Sequence, residues 1–135
     1  MRRLLKIVLF AGLAYLGFWA LTWWAAPHAI RRELMREATK TWEASRARGL
    51  ASAREFHAKW PKEFPAEMVD RIAEGAAFES GPSVDVRLIS CPFPFWVRAE
   101  CGRRIGGLNG YGSYDEYIVV GWRAFAVSSY QTWVS

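Results

Sequence analysis

Residues 7–26 read IVLFAGLAYLGFWALTWWAA, twenty positions in a row without a charged side chain. As a helix rising 1.5 Å per residue, the run covers about 30 Å, the thickness of a bilayer's hydrocarbon core. Lipid offers no partner to a backbone N–H or C=O, so an isolated segment of this kind must close its hydrogen bonds within itself, as a helix. Trp19, Trp23 and Trp24 gather at its C-terminal end, where amphipathic rings settle at headgroup level. These three are expected as interface anchors, and membrane lipids as the first partner. Pro27 follows at once and suits a kink or the first position of a new helix.

A cleaved signal peptide is the rival reading, because MRRLLK makes a fair basic leader. Cleavage after Ala26 puts Trp24 at the −3 position, and cleavage after Ala29 puts Pro27 there. Neither is the small-x-small pattern that cleavage needs, and the run exceeds a usual signal core. An uncleaved anchor is therefore expected. Arg2, Arg3 and Lys6 precede the run while Arg31, Arg32, Arg36 and Lys40 follow it, so a count of bases does not orient it. Long domains translocate largely regardless of charge, whereas a short basic tail is better left inside. The expected topology is a cytoplasmic N-terminus in the inner (plasma) membrane, with the C-terminal domain periplasmic or otherwise extracytoplasmic.

The formal charge of +5 comes from 18 Lys and Arg against 13 Asp and Glu. Three of the bases lie in the first six residues, so the remainder, with 15 basic and 13 acidic side chains, is nearly neutral. A nucleic-acid binder needs a basic patch on a recognisable module. Neither is visible, and no nucleic-acid partner is expected.

Beyond Pro27, Ile30, Leu34, Ala38, Trp42, Ser45, Gly49, Ala53, Phe56 and Trp60 recur at steps of three or four, the period of an amphipathic helix. Arg31, Arg32, Glu33, Arg36, Glu37, Lys40 and Glu43 fall off that stripe as a mixed, wet face. Pro61 ends the pattern, since the residue before proline leaves the helical region. The stripe is small in its middle. Ser45, Gly49 and Ala53 invite close approach, by a partner helix or by this chain's own second helix or sheet. Gly49 is also a place where the stalk can divide. A second, shorter helix spans 64–75, with Pro65 at its start, Glu67 in its first turn and Gly75 at its stop.

From Ser83 the period changes to two. Val84, Val86 and Leu88 alternate with Asp85 and Arg87; Phe93, Phe95, Val97 and Ala99 alternate with Trp96, Arg98 and Glu100. Residues 116–122 and 125–134 give two further strands. Short connections favour antiparallel neighbours. The expected fold is α+β: a transmembrane helix, a long amphipathic helix with a short one, then a sheet of three or four antiparallel strands covered on one face by the two helices. The expected divisions are a basic tail at 1–6, the span at 7–26, stalk and short helix at 27–82, and sheet at 83–135.

Residues 103–115 (RRIGGLNGYGSYD) are expected to connect the second and third strands. The glycines lack the Gly-Lys-Ser/Thr ending and following helix of a phosphate loop, and they do not fit G-x-G-x-x-G. Arg103, Arg104, Tyr111 and Tyr114 instead suit a contact with another protein, because Arg and Tyr are enriched at interfaces.

Cys91 and Cys101 pose a geometric question. Outside the cytoplasm, two cysteines in a small domain usually pair. Ten residues of continuous strand would hold them about 33 Å apart, and a simple turn at 92–94 would set Cys101 opposite the region of Val84. The disulfide is left open. No C-x-x-C is present, and two Cys with two His make no convincing zinc site. His28 and His57 stand without a G-x-S-x-G or H-E-x-x-H. Asp115 and Glu116 are adjacent in a strand, so they face opposite ways. Neither an enzyme nor a cofactor or metal is expected.

The function these features point to is an accessory or structural subunit of a larger integral membrane complex, respiratory or photosynthetic for instance, held by its span and an aromatic-rich head. An independent envelope protein that binds a small ligand or peptide is the alternative.

Overall fold

The computed structural model describes residues 1–74, 81–104 and 110–134, with backbone alone for 132–134. The expected helix stop at Gly75 and the centre of the 103–115 connection lie outside the described residues. Two helices, α1 (Arg2–Lys59) and α2 (Ala66–Ala73), precede four strands: β1 (Ser83–Phe93), β2 (Trp96–Arg104), β3 (Tyr111–Val120) and β4 (Arg123–Val134). The strands form one antiparallel meander in the order β1-β2-β3-β4. The fold is α+β.

Pro27 does not start a new helix. α1 runs through it as a single helix of 58 residues, about 87 Å long, and it also continues through Gly49. An interior proline costs one backbone hydrogen bond and a clash with the preceding turn, about 3 kcal/mol. Packing on both sides of Pro27 offsets this, because Ala25, Ala26, Ala29 and Ile30 are all buried. The expected span and stalk thus belong to one continuous helix.

The core forms where this rod crosses the sheet. Ala26, Ala29, Ile30, Leu34 and Ala38 lie against Val84, Cys91, Val97, Ala99, Cys101, Tyr117, Val119 and Ala124. Small residues meet small residues at its centre, which lets the helix lie close to the pleated surface. Only α1 covers the sheet: among the described residues α2 packs on α1 and touches no strand. The reason is length. The sheet occupies α1 from about Phe18 to Ala38, and α2 doubles back along the distal part, fixed by Arg46 Nη2 donating to Ala73 O at 2.6 Å and His57 Nδ1 donating to Phe64 O at 2.7 Å.

Several strand boundaries differ from the expected ones; β3 ends at Val120 and not at 122, and β4 starts at Arg123 and not at 125. Phe93 closes β1, and Pro94 and Phe95 form a two-residue turn before β2. Pro94 suits the first turn position, and Phe95 takes φ +69° in a place usually given to glycine. β3 begins at Tyr111, so residues 111–115 belong to the sheet and not to a connection. Their inward side chains are polar, which hides the apolar alternation that marks a half-buried strand.

Candidate functional site

Three surfaces of the head carry chemistry: a polar cluster under α1, the opposite face of the sheet, and the two hairpin tips beside the apolar end of α1.

The cluster is set by the pleat. Tyr111, Ser113, Asp115, Tyr117 and Val119 of β3 share the face turned to α1, and the register brings Arg103 opposite Tyr111 and Ser129 opposite Asp115. The Asp115 carboxylate is 2% exposed. It accepts Arg103 Nη2 at 3.0 Å, Tyr117 Oη at 2.9 Å and Ser129 Oγ. Arg103 also donates to Tyr111 Oη at 3.2 Å, with its guanidinium 5.4 Å from that ring's centroid. A buried charge is tolerated only when paired and hydrogen-bonded, and here both conditions hold. The cluster floors a cleft of about 390 Å³ whose other wall is Glu33, Leu34 and Glu37 of α1. Among the described residues, Arg103 Nε at this cleft and the buried Ser113 Oγ have no hydrogen-bond partner.

The cluster's nucleophiles are held in their protonated forms. Tyr117 gives its proton to Asp115, so the thiol of Cys101, 3.8 Å from Tyr117 Oη, is the donor of that contact. Burial, with the Asp115 charge beside it, pushes the Cys101 thiol up to about 12, and burial raises Tyr117. A reactive cysteine needs a lowered pKa and access; Cys101 has neither.

Both cysteines are free. Cys101 pairs with Val86 across the ladder, so Cys91 sits five strand positions further along, roughly 16 Å away. The register thus holds the two thiols beyond disulfide reach.

The expected partner contacts do not gather in one place. Arg103 and Tyr111 turn inward to the cluster, while Tyr114, 47% exposed, lies on the opposite face and Arg104 ends β2 in solvent. Ala53 is buried and Ser45 and Gly49 half-buried on the stretch of α1 that carries α2. Asp115 and Glu116 do face opposite ways, as their adjacency in a strand requires. Glu116 accepts Arg98 Nε at 2.7 Å on the outer face.

Among the described residues, nothing packs over that outer face. Tyr130 is 73% exposed with Ile89 and Tyr114, each about half exposed, in the same groove, and Phe125, 52% exposed, pairs with Ile118 nearer the start of β4. Ile89, Arg98, Tyr114, Glu116, Ser128 and Tyr130 line a groove of about 300 Å³ across the middle strands.

At the tips the sheet reaches the expected interface anchors. Trp19 Nε1 donates to Cys91 O at 2.7 Å, the Phe18 and Phe95 rings lie 5.6 Å apart, and Trp24 meets Trp122 edge-on at 5.9 Å. Sequence reasoning did not connect these tips to the helix, because contacts some 72–98 residues apart leave no local pattern.

No family model, curated protein or solved structure matches the chain. Among the described residues, no group of three or more His, Cys, Asp or Glu is placed to hold a metal ion. One helix, α1, is long and apolar enough to cross a membrane, with a window of mean hydropathy 2.0 that the fold leaves unburied.

Proposed function

We propose that this chain is a single-pass membrane subunit that docks its head against a larger integral membrane protein through the open face of its sheet. The observation that carries this reading is the uncovered outer face. A four-stranded sheet usually buries at least one face and keeps the other polar; here the second face carries aromatic and aliphatic side chains around the Arg98–Glu116 pair. Tyr and Arg are enriched at protein interfaces, and on this face the exposed Ile89, Tyr114 and Tyr130 surround the Arg98–Glu116 pair. Phe56 and Trp60, each about half exposed and stacked at 5.7 Å, offer a separate aromatic surface at the far end of α1.

Anchoring by the apolar run is supported by the way the head is built. Thr22, Ala25 and Ala26 belong to that run and are buried by the sheet, so removal of a leader ending at Ala26 would strip the head of part of its own core. The N-terminus is assigned to the cytoplasm and the head to the outer side, for the reasons given by the short basic tail. No reaction is assigned.

Purification in mild detergent tests the reading. The subunit role expects a stoichiometric complex with the wild-type chain and its loss in the Tyr130→Glu, Phe125→Glu double variant while the head stays folded. A wild-type chain that purifies as a monodisperse monomer overturns it.

The second reading, a protein that binds a small polar ligand, is favoured by one observation: Arg103 Nε, at the 390 Å³ cleft, has no partner among the described residues. Binding there would be abolished by Arg103→Met and untouched by the outer-face variant.

A further inference from the structure

We infer that the two hairpin tips, residues 92–95 and 120–122, are a membrane-embedded collar that seats the head in the bilayer's headgroup and acyl boundary around the end of α1. The inference rests on the reading of the apolar run as a membrane span.

The first support is a length. Phe95 touches α1 at Phe18 and Thr22, well before the apolar run ends at Ala26. The part of the run below those contacts, residues 7–17, covers only about 17 Å as a helix. A hydrocarbon core of about 30 Å laid from Ile7 reaches Ala26. It therefore includes the level of Phe95, and it ends at the level where Trp24 meets Trp122. Tilting the helix increases the shortfall, because a tilted span needs more residues to cross.

The second support is chemistry. Residues 89–97 (ISCPFPFWV) and 118–122 (IVVGW) contain no charge. Phe93 is 63% exposed, Trp122 57% and Val120 56%, a cost with no return in water but expected against lipid. Arg31, Arg32 and Arg123 stand just beyond this rim in sequence, at the height where anionic headgroups lie.

The third support is the state of the tip backbone. Irregular backbone enters lipid only where its polar groups are satisfied by protein. Pro92 and Pro94 have no N–H. Phe95 N–H donates to Thr22 Oγ1 at 3.0 Å, and Phe95 O accepts Val119 N–H at 2.7 Å. Cys91 O accepts Trp19 Nε1, Phe93 O accepts Cys91 Sγ at 3.2 Å, and Trp122 O accepts Arg32 Nη2. Side chains from α1 cap three of these groups, which a tip facing water would not need. The left-handed φ of Phe95 is the strained feature that aims this tip at the helix.

The test uses the full chain in vesicles of phosphatidylcholine with a minority of phosphatidylglycerol. An environment-sensitive maleimide dye is placed at Leu9→Cys, Phe93→Cys, Trp122→Cys or Tyr130→Cys, the native buried thiols remaining unlabelled at neutral pH. Lipids carrying a nitroxide near the headgroup then quench the dye by depth. Tyr130 is eight positions along β4 from the tip, about 26 Å, and serves as the outside control. The collar expects dyes at 93 and 122 to be quenched at least about threefold more than at 130, as for side chains seated 5–10 Å into the boundary. Quenching at 9 with none at 93 and 122 overturns the collar and leaves the span standing. No quenching at 9 overturns the span itself, and the collar with it.

Discussion

The Thr22 hydroxyl accepts the backbone N–H of Phe95 at 3.0 Å while donating its own proton to Phe18 O at 2.8 Å. One side chain inside the apolar run thereby fixes the left-handed turn of a hairpin 73 positions away. Thr22→Val keeps the shape and removes the acceptor, leaving a peptide N–H without its partner. The expected loss of head stability is about 1–3 kcal/mol. Thr22→Ser is expected to be near neutral. Denaturant midpoints in mild detergent read both, and equal midpoints for the two variants would contradict this role.

Asp115 anchors Arg103, Tyr117 and Ser129 together, with 1% of its side chain exposed against 19% for Arg103. Removing one partner of a buried pair leaves the other charged and unmatched, so Asp115→Ala is expected to lose about 3–5 kcal/mol. Replacing both charges, Arg103→Met with Asp115→Leu, is expected to recover most of that loss. A double variant as unstable as the single one would show that the pair is not the coupled unit described here.

The cysteines give a chemical readout. Burial raises both thiols, Cys101 from an ordinary value near 9 to about 12. A group whose folded pKa is raised contributes stability that is intact below its unfolded pKa and lost as pH climbs to the folded one. For Cys101 the window is therefore about pH 9 to 12. The native chain is expected to resist iodoacetamide at pH 7 and to take up two alkyl groups once denatured. Its gel mobility is expected to be the same with and without reductant, and a reductant-sensitive shift would refute the β1–β2 register.

Pro27 and Ala29 sit one half-turn apart and should respond in opposite directions. Pro27→Ala restores a donor to a helix that is already continuous, and stability is expected to rise by as much as about 3 kcal/mol. Ala29, 2% exposed, faces the sheet where small residues meet. Ala29→Leu overfills that contact and is expected to cost about 1–3 kcal/mol. Thermal unfolding followed by near-ultraviolet circular dichroism distinguishes the two.

Much of the architecture was legible because it rests on local periodicity. The 3.6-residue stripe through Ile30, Leu34 and Ala38 marks the buried face of α1, and the alternation in 84–88 marks β1. What escaped was polar. Tyr111, Ser113 and Asp115 keep the strand's period of two but supply no apolar signal, so β3 read as a connection for half its length. The phase was nonetheless present: Asp115 stands in step with Tyr117 and Val119, and an acid on a buried phase asks for a partner. Arg103 reads from its type as a partner contact in the 103–115 connection, and its inward direction is fixed by pairing with Tyr111 and not by its neighbours in sequence.

The sequence by itself determined the elements: an apolar run long enough to cross a bilayer, a helical stripe beyond it, and a meander of short-looped strands. Each follows from the order of apolar and polar residues within one or two turns. That α1 continues through Pro27, that α2 leaves the described strands alone, that the thiols stay apart and that two hairpin tips close on the last turns of the apolar run became visible in the fold. Those outcomes depend on which surfaces meet beyond a turn or two of the chain, from the β1–β2 register to contacts 72–98 residues apart, where packing and the capping of stranded backbone groups outweigh any preference a residue has on its own.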